Sequence, residues 1–497
     1  MGARGGGVPV RGRRAWVVAG LAGVLAFVVR IARGGGLVGL RAYQGYDDGV
    51  YYAAAASLVH GNVPYRDFVL LHPPGVMLVL APFAELGRWV GDADGVLLSR
   101  LAFVLVGVLN TVLVVRLATR WGMASAVTAG ALYAVLPIAA GSEYITLIEP
   151  LGTAAVLGAV VLLRRGTPAA VLAGGAVLGL APTTKIWGVV PVVVVLAWLV
   201  VTRGWPVAAR ATGAAAGSFL LVVGPFAALA GARMWQLVVR DQLGRPRYPG
   251  TLVDRLEQIL DVRHSGLGPD AAGRTWLVVL VGTVVVLAAV AAWRARRERL
   301  WVVMLAVQLG VLVASPSFLW HYASFAAAAL VLVVAAGAST MPVPVRAPVA
   351  VAASLVLVLA TGPWFPTHVK AFPVARLEAL LPADGCIRTD SPGTLALLGR
   401  LSRELDEGCD IPVDVSGVSY GAGSRDPHGR PVSRLDNRVW QAVAARYYGS
   451  GAATLLVRGA IPQGIAPGTR DDIERGRRVV QVDGVTLVLP PERTTAG

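Results

Sequence analysis

The sequence has little charge, and its charges are unevenly distributed. Only 15% of the 497 residues are Asp, Glu, Lys or Arg, whereas 55% are hydrophobic. Soluble proteins carry about a quarter charged residues, so this composition excludes an ordinary soluble fold. Recurring apolar runs predict a polytopic membrane protein. The net charge of +16 does not indicate nucleic-acid binding, because the arginines cluster in short links between apolar runs, as in cytoplasmic loops that face anionic lipid.

Lysine and cysteine are also scarce. Lys185 and Lys370 are the only lysines, and with the excess of Ala, Val and Gly this indicates a GC-rich genome of the actinobacterial kind. Cys386 and Cys409 both lie in the last quarter of the chain. This pair predicts a disulfide if that segment lies outside the cytoplasm, and free thiols if it lies inside.

Several motifs of soluble enzymes are missing from the sequence. It contains no zinc-ligand spacing, no P-loop, no Gly-rich dinucleotide loop and no nucleophile elbow. No cofactor follows from the sequence with certainty, and a requirement for a divalent cation is left open.

Hydropathy and flanking arginines together predict about eleven spans, with the N-terminal tail 1–14 inside the cell. Every short link predicted to lie inside carries arginine. The apolar but interrupted segment 72–90 contains Pro82 and Glu85, and we interpret it as an interfacial helix. A twelfth span there would place the basic link "WRARRER" outside. The predicted spans are 15–31, 96–115, 123–140, 148–163, 168–183, 186–202, 207–230, 276–293, 300–314, 321–339 and 347–361.

The last part of the chain, 364–497, differs from the predicted transmembrane domain, 15–363. Charge, proline and glycine become more frequent, and no apolar run is long enough to span a membrane. The span count places this segment outside, which favours a disulfide over free thiols. We predict a small extracytoplasmic α/β domain. Its expected elements are strands 385–389, 453–457, 478–482 and 485–489 and helices 392–404, 436–447 and 470–476.

Two adjacent acids stand in the first predicted outer loop, in "QGYDDGVYYAAAASLVHG" (44–61). Asp48 suits the N-cap of a helix that lies on the bilayer surface. A cap does not explain Asp47, which beside Tyr46, Tyr51 and Tyr52 suits a general base next to sugar-stacking aromatics. The sequence alone favours neither role.

Further polar residues fall at the predicted outer edges of spans, each with two interpretations. Glu149 begins a span, where an acid also favours the positive end of the helix, and Glu143 precedes it in a loop. Lys185 could bind a phosphate or anchor its span at the interface. His321, next to Tyr322, could be a ligand or a structural hydrogen-bonding group.

This order of motifs resembles the GT-C superfamily of polytopic glycosyltransferases that use polyprenyl-phosphate sugars. The superfamily includes the aminoarabinose transferases, the protein O-mannosyltransferases, and the actinobacterial mannosyl- and arabinosyltransferases of the cell envelope. The acidic pair "DD", the helix "GVYYAAAASLVHG" and the second helix "HPPGVMLVLAPFAELG" match its first outer loop. The resemblance covers roughly residues 15–361, and the C-terminal segment matches nothing assignable.

The resemblance implies a role for each matching residue. Asp47 corresponds to the base that deprotonates the acceptor, with Asp48 beside it as the second catalytic acid. Glu143 or Glu149 corresponds to a second acidic position, and Thr184–Lys185 to the surroundings of the donor phosphate. The other residues that we expect to bind substrate are His72, Tyr51, Arg240, Arg245, Arg247, His321 and Tyr322.

The resemblance implies inverting transfer of a hexose or pentose, on the outer face of the plasma membrane, to a lipid, glycan or protein acceptor of the cell envelope. A transporter or lipid flippase is the main alternative, and it would need polar residues in mid-span or paired broken helices. A non-catalytic scaffold is the other alternative, and it would not require acids gathered on one face. Asn110 and Gln308 are polar within predicted spans, but no matched halves occur.

Overall fold

The computed structural model describes residues 12–245, 250–296, 299–362, 370–459 and 463–491. Arg247, the start of the predicted extracytoplasmic domain, most of the N-terminal tail and part of the link 293–299 lie outside these ranges.

The described chain is mostly helical, as predicted. Six short turns of 3₁₀- or π-helix are Thr119–Trp121, Ala181–Thr183, Ile186–Gly188, Gln236–Arg240, Val262–His264 and Trp320–Ala323. The α-helices are α1 (Arg13–Arg33), α2 (Gly36–Leu40), α3 (Tyr46–Val59), α4 (Gly75–Val90), α5 (Asp92–Ala118), α6 (Met123–Val135), α7 (Pro137–Ala140), α8 (Glu149–Leu163), α9 (Pro168–Leu178), α10 (Val189–Arg203), α11 (Trp205–Ala230), α12 (Ala232–Trp235), α13 (Asp241–Leu243), α14 (Leu252–Leu260), α15 (Ala271–Arg294), α16 (Arg299–Ala314), α17 (Ser324–Ala338), α18 (Val343–Ala360), α19 (Val374–Glu378), α20 (Gly393–Leu397), α21 (Leu401–Asp406), α22 (Val415–Val418), α23 (Arg438–Gly449) and α24 (Pro467–Glu474).

Seven helices of the described chain are long and apolar enough to cross a membrane, and four further apolar helices are shorter. Each of the eleven coincides with one predicted span, which confirms a multi-pass helical protein, while the count of eleven spans stays a prediction. The long ones are Arg13–Arg33, Asp92–Trp121, Ile186–Arg203, Trp205–Ala230, Ala271–Arg294, Trp320–Ala338 and Val343–Ala360. The shorter ones are Met123–Val135, Glu149–Leu163, Pro168–Thr183 and Arg299–Ala314.

The chain divides into two compact units by its internal contacts. The first unit comprises residues 1–40, 100–224 and 247–369. Its core is built around α17, which is apolar on all sides and packs against α6, α8, α15, α16 and α18. A helix without a polar face must be buried on every side, so the other helices surround it.

The second unit comprises residues 41–99, 225–246 and 370–497, and it therefore includes α3 and α4. We expected α3 to be a surface helix, but its residues from Asp48 to Ser57 are buried. Its four consecutive alanines, 53–56, leave room for close packing, and α4, α20 and α21 contact it within the unit. The helical segment within 72–90 is α4, which is not among the seven long apolar helices.

The C-terminal segment forms a four-stranded sheet, which confirms the predicted α/β character. The strands are β1 (Ile387–Thr389), β2 (Ala453–Leu456), β3 (Arg478–Val482) and β4 (Val485–Leu489), in the order β1-β2-β4-β3. β1 and β2 are parallel, with Thr389 opposite Leu455, and the other pairs are antiparallel. The β3–β4 turn is Asp483–Gly484, and both residues have positive φ, as a tight hairpin requires.

A disulfide joins Cys386, just before β1, to Cys409, just after α21, with the two Cα atoms 5.6 Å apart. The predicted helix 392–404 is divided into α20 and α21, because Gly399 has a positive φ that the helical conformation does not allow.

Candidate active site

The two acids of the first outer loop lie in the first turn of α3, which begins at Tyr46. Gly45 occupies the N-cap position and makes no side-chain cap, so the expectation that Asp48 caps the helix is wrong. Both carboxylates instead lie near the positive end of the helix dipole. Asp48 is only 3% exposed, whereas Asp47 is half-buried. Of the two acids, Asp47 is therefore the more accessible to a substrate.

Tyr46 is held by residues from the C-terminal part of the chain. Its hydroxyl donates to Oδ1 of Asp414 at 2.8 Å and accepts from the backbone N–H of Ser416 at 2.8 Å. The guanidinium of Arg458 lies over the ring, 3.9 Å from the centroid, and donates to Oγ of Ser416 at 2.6 Å. The residue before the predicted base thus has three partners, all distant in sequence.

Asp414 brings a third carboxylate to the acidic pair. Burial is the main cause that raises the pKa of Asp414, and the nearby negative charge of Asp47 raises it further. Hydrogen bonds from Tyr46 and Gly417 and the positive charge of Arg245 lower it. Asp47, the predicted base, and Arg245, a predicted substrate-binding arginine, are therefore both close enough to Asp414 to shift its pKa.

Two arginines flank Tyr420 in the same unit. The guanidinium carbon of Arg245 lies 5.0 Å from the centre of the ring, and that of Arg434 lies 5.1 Å from it. Arg434 also donates to the carbonyl oxygen of Ser416 at 3.3 Å. With Arg458, these arginines form a cationic group around the segment 414–420, where a phosphate could be held by charge-assisted hydrogen bonds.

The remaining predicted residues of the second unit have other surroundings. Tyr51 is 1% exposed, and its ring meets the ring of His72 edge to face, with centroids 5.6 Å apart. Arg240 ends the π-helical turn and is exposed. Substrate binding by these three residues stays a prediction.

In the first unit, Glu149 contacts both Lys185 and His321, which follow it in the sequence by 36 and 172 positions. Nζ of Lys185 donates to Oε1 of Glu149 at 2.7 Å, and Nδ1 of His321 lies 3.1 Å from Oε2. All three side chains are buried. Glu149 is also in the first turn of α8, as predicted.

Two aromatic rings complete this cluster. Nζ of Lys185 lies 3.4 Å from the ring centroid of Tyr322 and 4.1 Å from that of Trp187. A cation so enclosed is desolvated, and its attraction to the rings and to Glu149 is correspondingly strong. We call Glu149, Lys185, His321 and Tyr322 the lysine cluster.

Glu143 is likewise in the first unit and is engaged by internal partners. Oε2 accepts from Nε of Arg30 at 2.8 Å, and Oε1 accepts from Asn110 at 2.8 Å and from Tyr133 at 2.9 Å. All four side chains are buried. These contacts favour a structural role for Glu143, because a buried charge is stable only when it is paired and hydrogen-bonded.

Sequence reasoning missed Asp414, Arg458, Arg434 and Arg30. The first three lie in a segment rich in charge, where one more acid or arginine is not conspicuous. Arg30 carried a usable signal, because it is a charge inside an apolar run at the end of α1. Among the described residues, no group of three or more His, Cys, Asp or Glu side chains could hold a metal ion.

Comparison with known proteins agrees with this architecture. The profile of glycosyltransferase family 87 matches residues 70–316, just under half of the chain. The crystal structure of ArnT from Cupriavidus metallidurans bound to undecaprenyl phosphate is similar, with a TM-score of 0.59 and 15% identity over 96% of this chain and 98% of that one. Its apo state gives a TM-score of 0.58 at 15% identity, over 95% of this chain and 97% of that one.

The apo oligosaccharyltransferase of Archaeoglobus fulgidus is a more distant match. Its TM-score is 0.50, with 13% identity over 94% of this chain and 73% of that one. No curated protein matches the chain significantly in sequence. The family profile, the ArnT-like fold and the helical membrane architecture together support a membrane glycosyltransferase of the GT-C type.

Proposed function

We propose that this protein transfers a sugar from a polyprenyl-phosphate donor to a cell-envelope acceptor, with inversion, and that Asp47 is the general base. The family 87 match supports glycosyl transfer. The donor class is supported by ArnT, whose structure was determined with undecaprenyl phosphate. The observation that carries the assignment of the base is the position of Asp47 as the accessible acid in the first turn of α3.

The proposed reaction is a single displacement. Asp47 takes the proton of the acceptor hydroxyl, whose oxygen attacks the anomeric carbon of the donor sugar. The bond from that carbon to the phosphate oxygen breaks, and polyprenyl phosphate leaves with the electron pair. One displacement inverts the anomeric configuration. Arg245 and its neighbouring arginines would stabilise the negative charge that develops on the leaving phosphate.

The acid pair allows this mechanism to be tested with a matched control. Asp47→Asn preserves shape but removes the basic oxygen, and we expect kcat to fall by roughly 10² to 10⁴. Asp48→Asn should retain much more activity, because this buried acid has no assigned proton to move. The assay is sugar transfer from a synthetic polyprenyl-phosphate donor in detergent. If Asp47→Asn turns over normally while Asp48→Asn is inactive, the wrong acid has been chosen; full activity in both variants would refute the mechanism.

The orientation in the membrane is a separate part of the proposal. Positive-inside reasoning places the N-terminus inside and residues 364–497 outside the plasma membrane. Membrane-impermeant thiol reagents should reach single cysteines engineered at 410–440 and miss those at 294–296. The reverse labelling would invert the orientation and exclude an extracytoplasmic reaction.

The identities of the sugar and acceptor require a direct measurement. Hexose or pentose donors, and lipid, glycan or protein acceptors, all fit the proposed chemistry. Mass spectrometry of envelope glycans after deletion of the gene should show one product class that lacks a terminal sugar. An unchanged glycan profile, with no transfer in vitro, would contradict the proposed function.

A further inference from the structure

We infer that Asp414 is a positioning residue that fixes Asp47 through Tyr46, so that the C-terminal segment of the chain is a working part of the site. This inference rests on the proposed function, in which Asp47 is the base. The C-terminal segment would then contribute directly to catalysis and would not be only an accessory domain.

The first step of the argument is the arrangement around Tyr46. Its hydroxyl both donates to Asp414 and accepts from the backbone of Ser416, so its direction and rotation are fixed. Arg458 covers the ring, 3.9 Å from its centroid. Because Tyr46 is the first residue of α3 and Asp47 the second, a displacement of Tyr46 must displace Asp47.

The second step is that Asp414 is itself held rigidly. Its Oδ1 accepts from the N–H of Gly417 at 2.8 Å, and its own N–H donates to the carbonyl oxygen of Val69 at 3.2 Å. Val413, immediately before it, has φ of +59°, a conformation that is strained for a β-branched residue. Such strain persists only where the surrounding contacts hold the backbone in place, and it is often found at functional sites.

The third step concerns Arg458, which follows β2. The N–H groups of Val457 and Arg458 donate to the carboxylate of Asp390, which follows the parallel strand β1. The segments that follow these two neighbouring parallel strands are therefore linked by hydrogen bonds. Side chains at the carboxyl ends of parallel strands commonly form the functional crevice of α/β sheets. Here that edge of the sheet presents Arg458 to the ring of Tyr46.

The fourth step is electrostatic. Asp414 is close enough to Asp47 for its pKa to be raised by that charge, in addition to the larger effect of burial. Despite this repulsion, the fold keeps Asp414 beside the acid pair, with Tyr46 as a hydrogen-bond donor to it.

The test compares variants that break the contact with variants that preserve it. Tyr46→Phe and Asp414→Ala should each lower kcat by roughly 10- to 100-fold, since small misplacements of a reacting group have effects of this size. KM for the donor should change by less than about twofold. Asp414→Asn should retain most of the activity, because its amide oxygen can still accept from Tyr46. The double variant Tyr46→Phe with Asp414→Ala should be no slower than the slower single variant.

Tyr447→Phe is the matched control, because it removes a hydroxyl that donates to the carbonyl oxygen of Thr389 at 3.4 Å in the same unit. It should leave kcat unchanged. The inference fails, and the proposed function stands, if Tyr46→Phe and Asp414→Ala match the wild type while Asp47→Asn is inactive. It also fails if Asp414→Asn is as slow as Asp414→Ala, since the charge would then act directly. If Asp47→Asn is fully active, the proposed function itself fails.

Discussion

The two units hold their polar groups in opposite ways. The lysine cluster in the first unit consists of a few buried polar side chains among apolar helices, and Lys185 and His321 both contact Glu149. In the second unit, Tyr46 and Tyr420 are contacted by three arginines from distant parts of the chain. Arg434 and Arg458 belong to the polar C-terminal segment, whereas Arg245 precedes α14. In the first case a polar residue is conspicuous because its surroundings in the sequence are apolar. In the second case only the fold shows which polar residues belong together.

This contrast predicts that the first unit should be more sensitive to the loss of one partner. Lys185→Met would leave Glu149 buried, with its Oε2 still close to Nδ1 of His321 but with no ammonium beside Oε1. Breaking a buried ion pair from one side typically costs about 3 to 5 kcal/mol. We expect a large fall in the melting temperature in detergent, together with weaker use of the lipid donor. Lys185→Arg should restore activity only partly, because a guanidinium does not fit a site shaped for a compact ammonium.

Lys370→Met is the control for this substitution, because Lys370 is exposed. It should melt like the wild type. A stable and fully active Lys185→Met variant would show that neither folding nor donor binding depends on the lysine cluster.

Reduction should affect the second unit only, because its disulfide contains both cysteines of the chain. The bond spans 23 positions. In the chain-entropy model, a disulfide that closes a loop of this length stabilises the folded state by about 3 kcal/mol. Cys409 is five residues from Asp414, so kcat should fall as well. Alkylation without reductant should modify neither thiol, as measured by mass spectrometry. Full modification of both thiols under native conditions would show that the bond does not form.

A buried carboxyl of the second unit should make its stability depend on pH. Burial raises the pKa of Glu404 from its ordinary value of 4.5 to about 7, and its Oε2 accepts from the N–H of Ile387 at 3.1 Å. The folded state holds the proton more tightly than the unfolded state. The contribution of protonated Glu404 to the free energy of unfolding is therefore fully present below pH 4.5. It is lost as the pH rises through 7, up to about 3 kcal/mol.

Glu404→Gln removes the titration and keeps the oxygen that accepts from Ile387. At pH 8 the variant should therefore melt higher than the wild type, and at pH 4.5 the two should coincide. Glu407→Gln, at an exposed neighbouring position, should show no such difference. Parallel melting curves for Glu404→Gln and the wild type at both pH values would exclude this origin of the pH dependence.

The same contrast explains how much could be predicted from the sequence. Hydropathy located the eleven apolar helices, and the predicted strands 453–457, 478–482 and 485–489 agree with β2, β3 and β4 to within a residue. The members of the lysine cluster, Glu149, Lys185, His321 and Tyr322, could be identified because they lie at the edges of apolar stretches. Asp414 and Arg458 could not be identified, because their importance comes from contacts with Tyr46, more than 360 positions away.

The smallest expected effect concerns a contact between two glycines. A Cβ on Gly49 would lie 2.7 Å from the Cα and 2.8 Å from the N of Gly393. Both are backbone atoms, which cannot rotate away from the clash as a side chain could. Gly49 follows the acid pair in α3, and Gly393 begins α20. Gly49→Ala should therefore separate the two helices, at a cost of roughly 1 to 3 kcal/mol.

The displacement should also reach Asp47, two residues away on the same helical turn, so kcat should fall while KM for the donor changes little. Gly468→Ala is the matched control, because the space around Gly468 in α24 is open. There the usual helix preference of alanine applies, and the variant should be slightly more stable than the wild type, by up to about 1 kcal/mol. If Gly49→Ala behaved like Gly468→Ala in melting temperature and kcat, the close packing of α3 on α20 would not be what positions the acid pair. The acid pair of the second unit would then tolerate a local change in packing, whereas we expect the lysine cluster of the first unit to be sensitive to one.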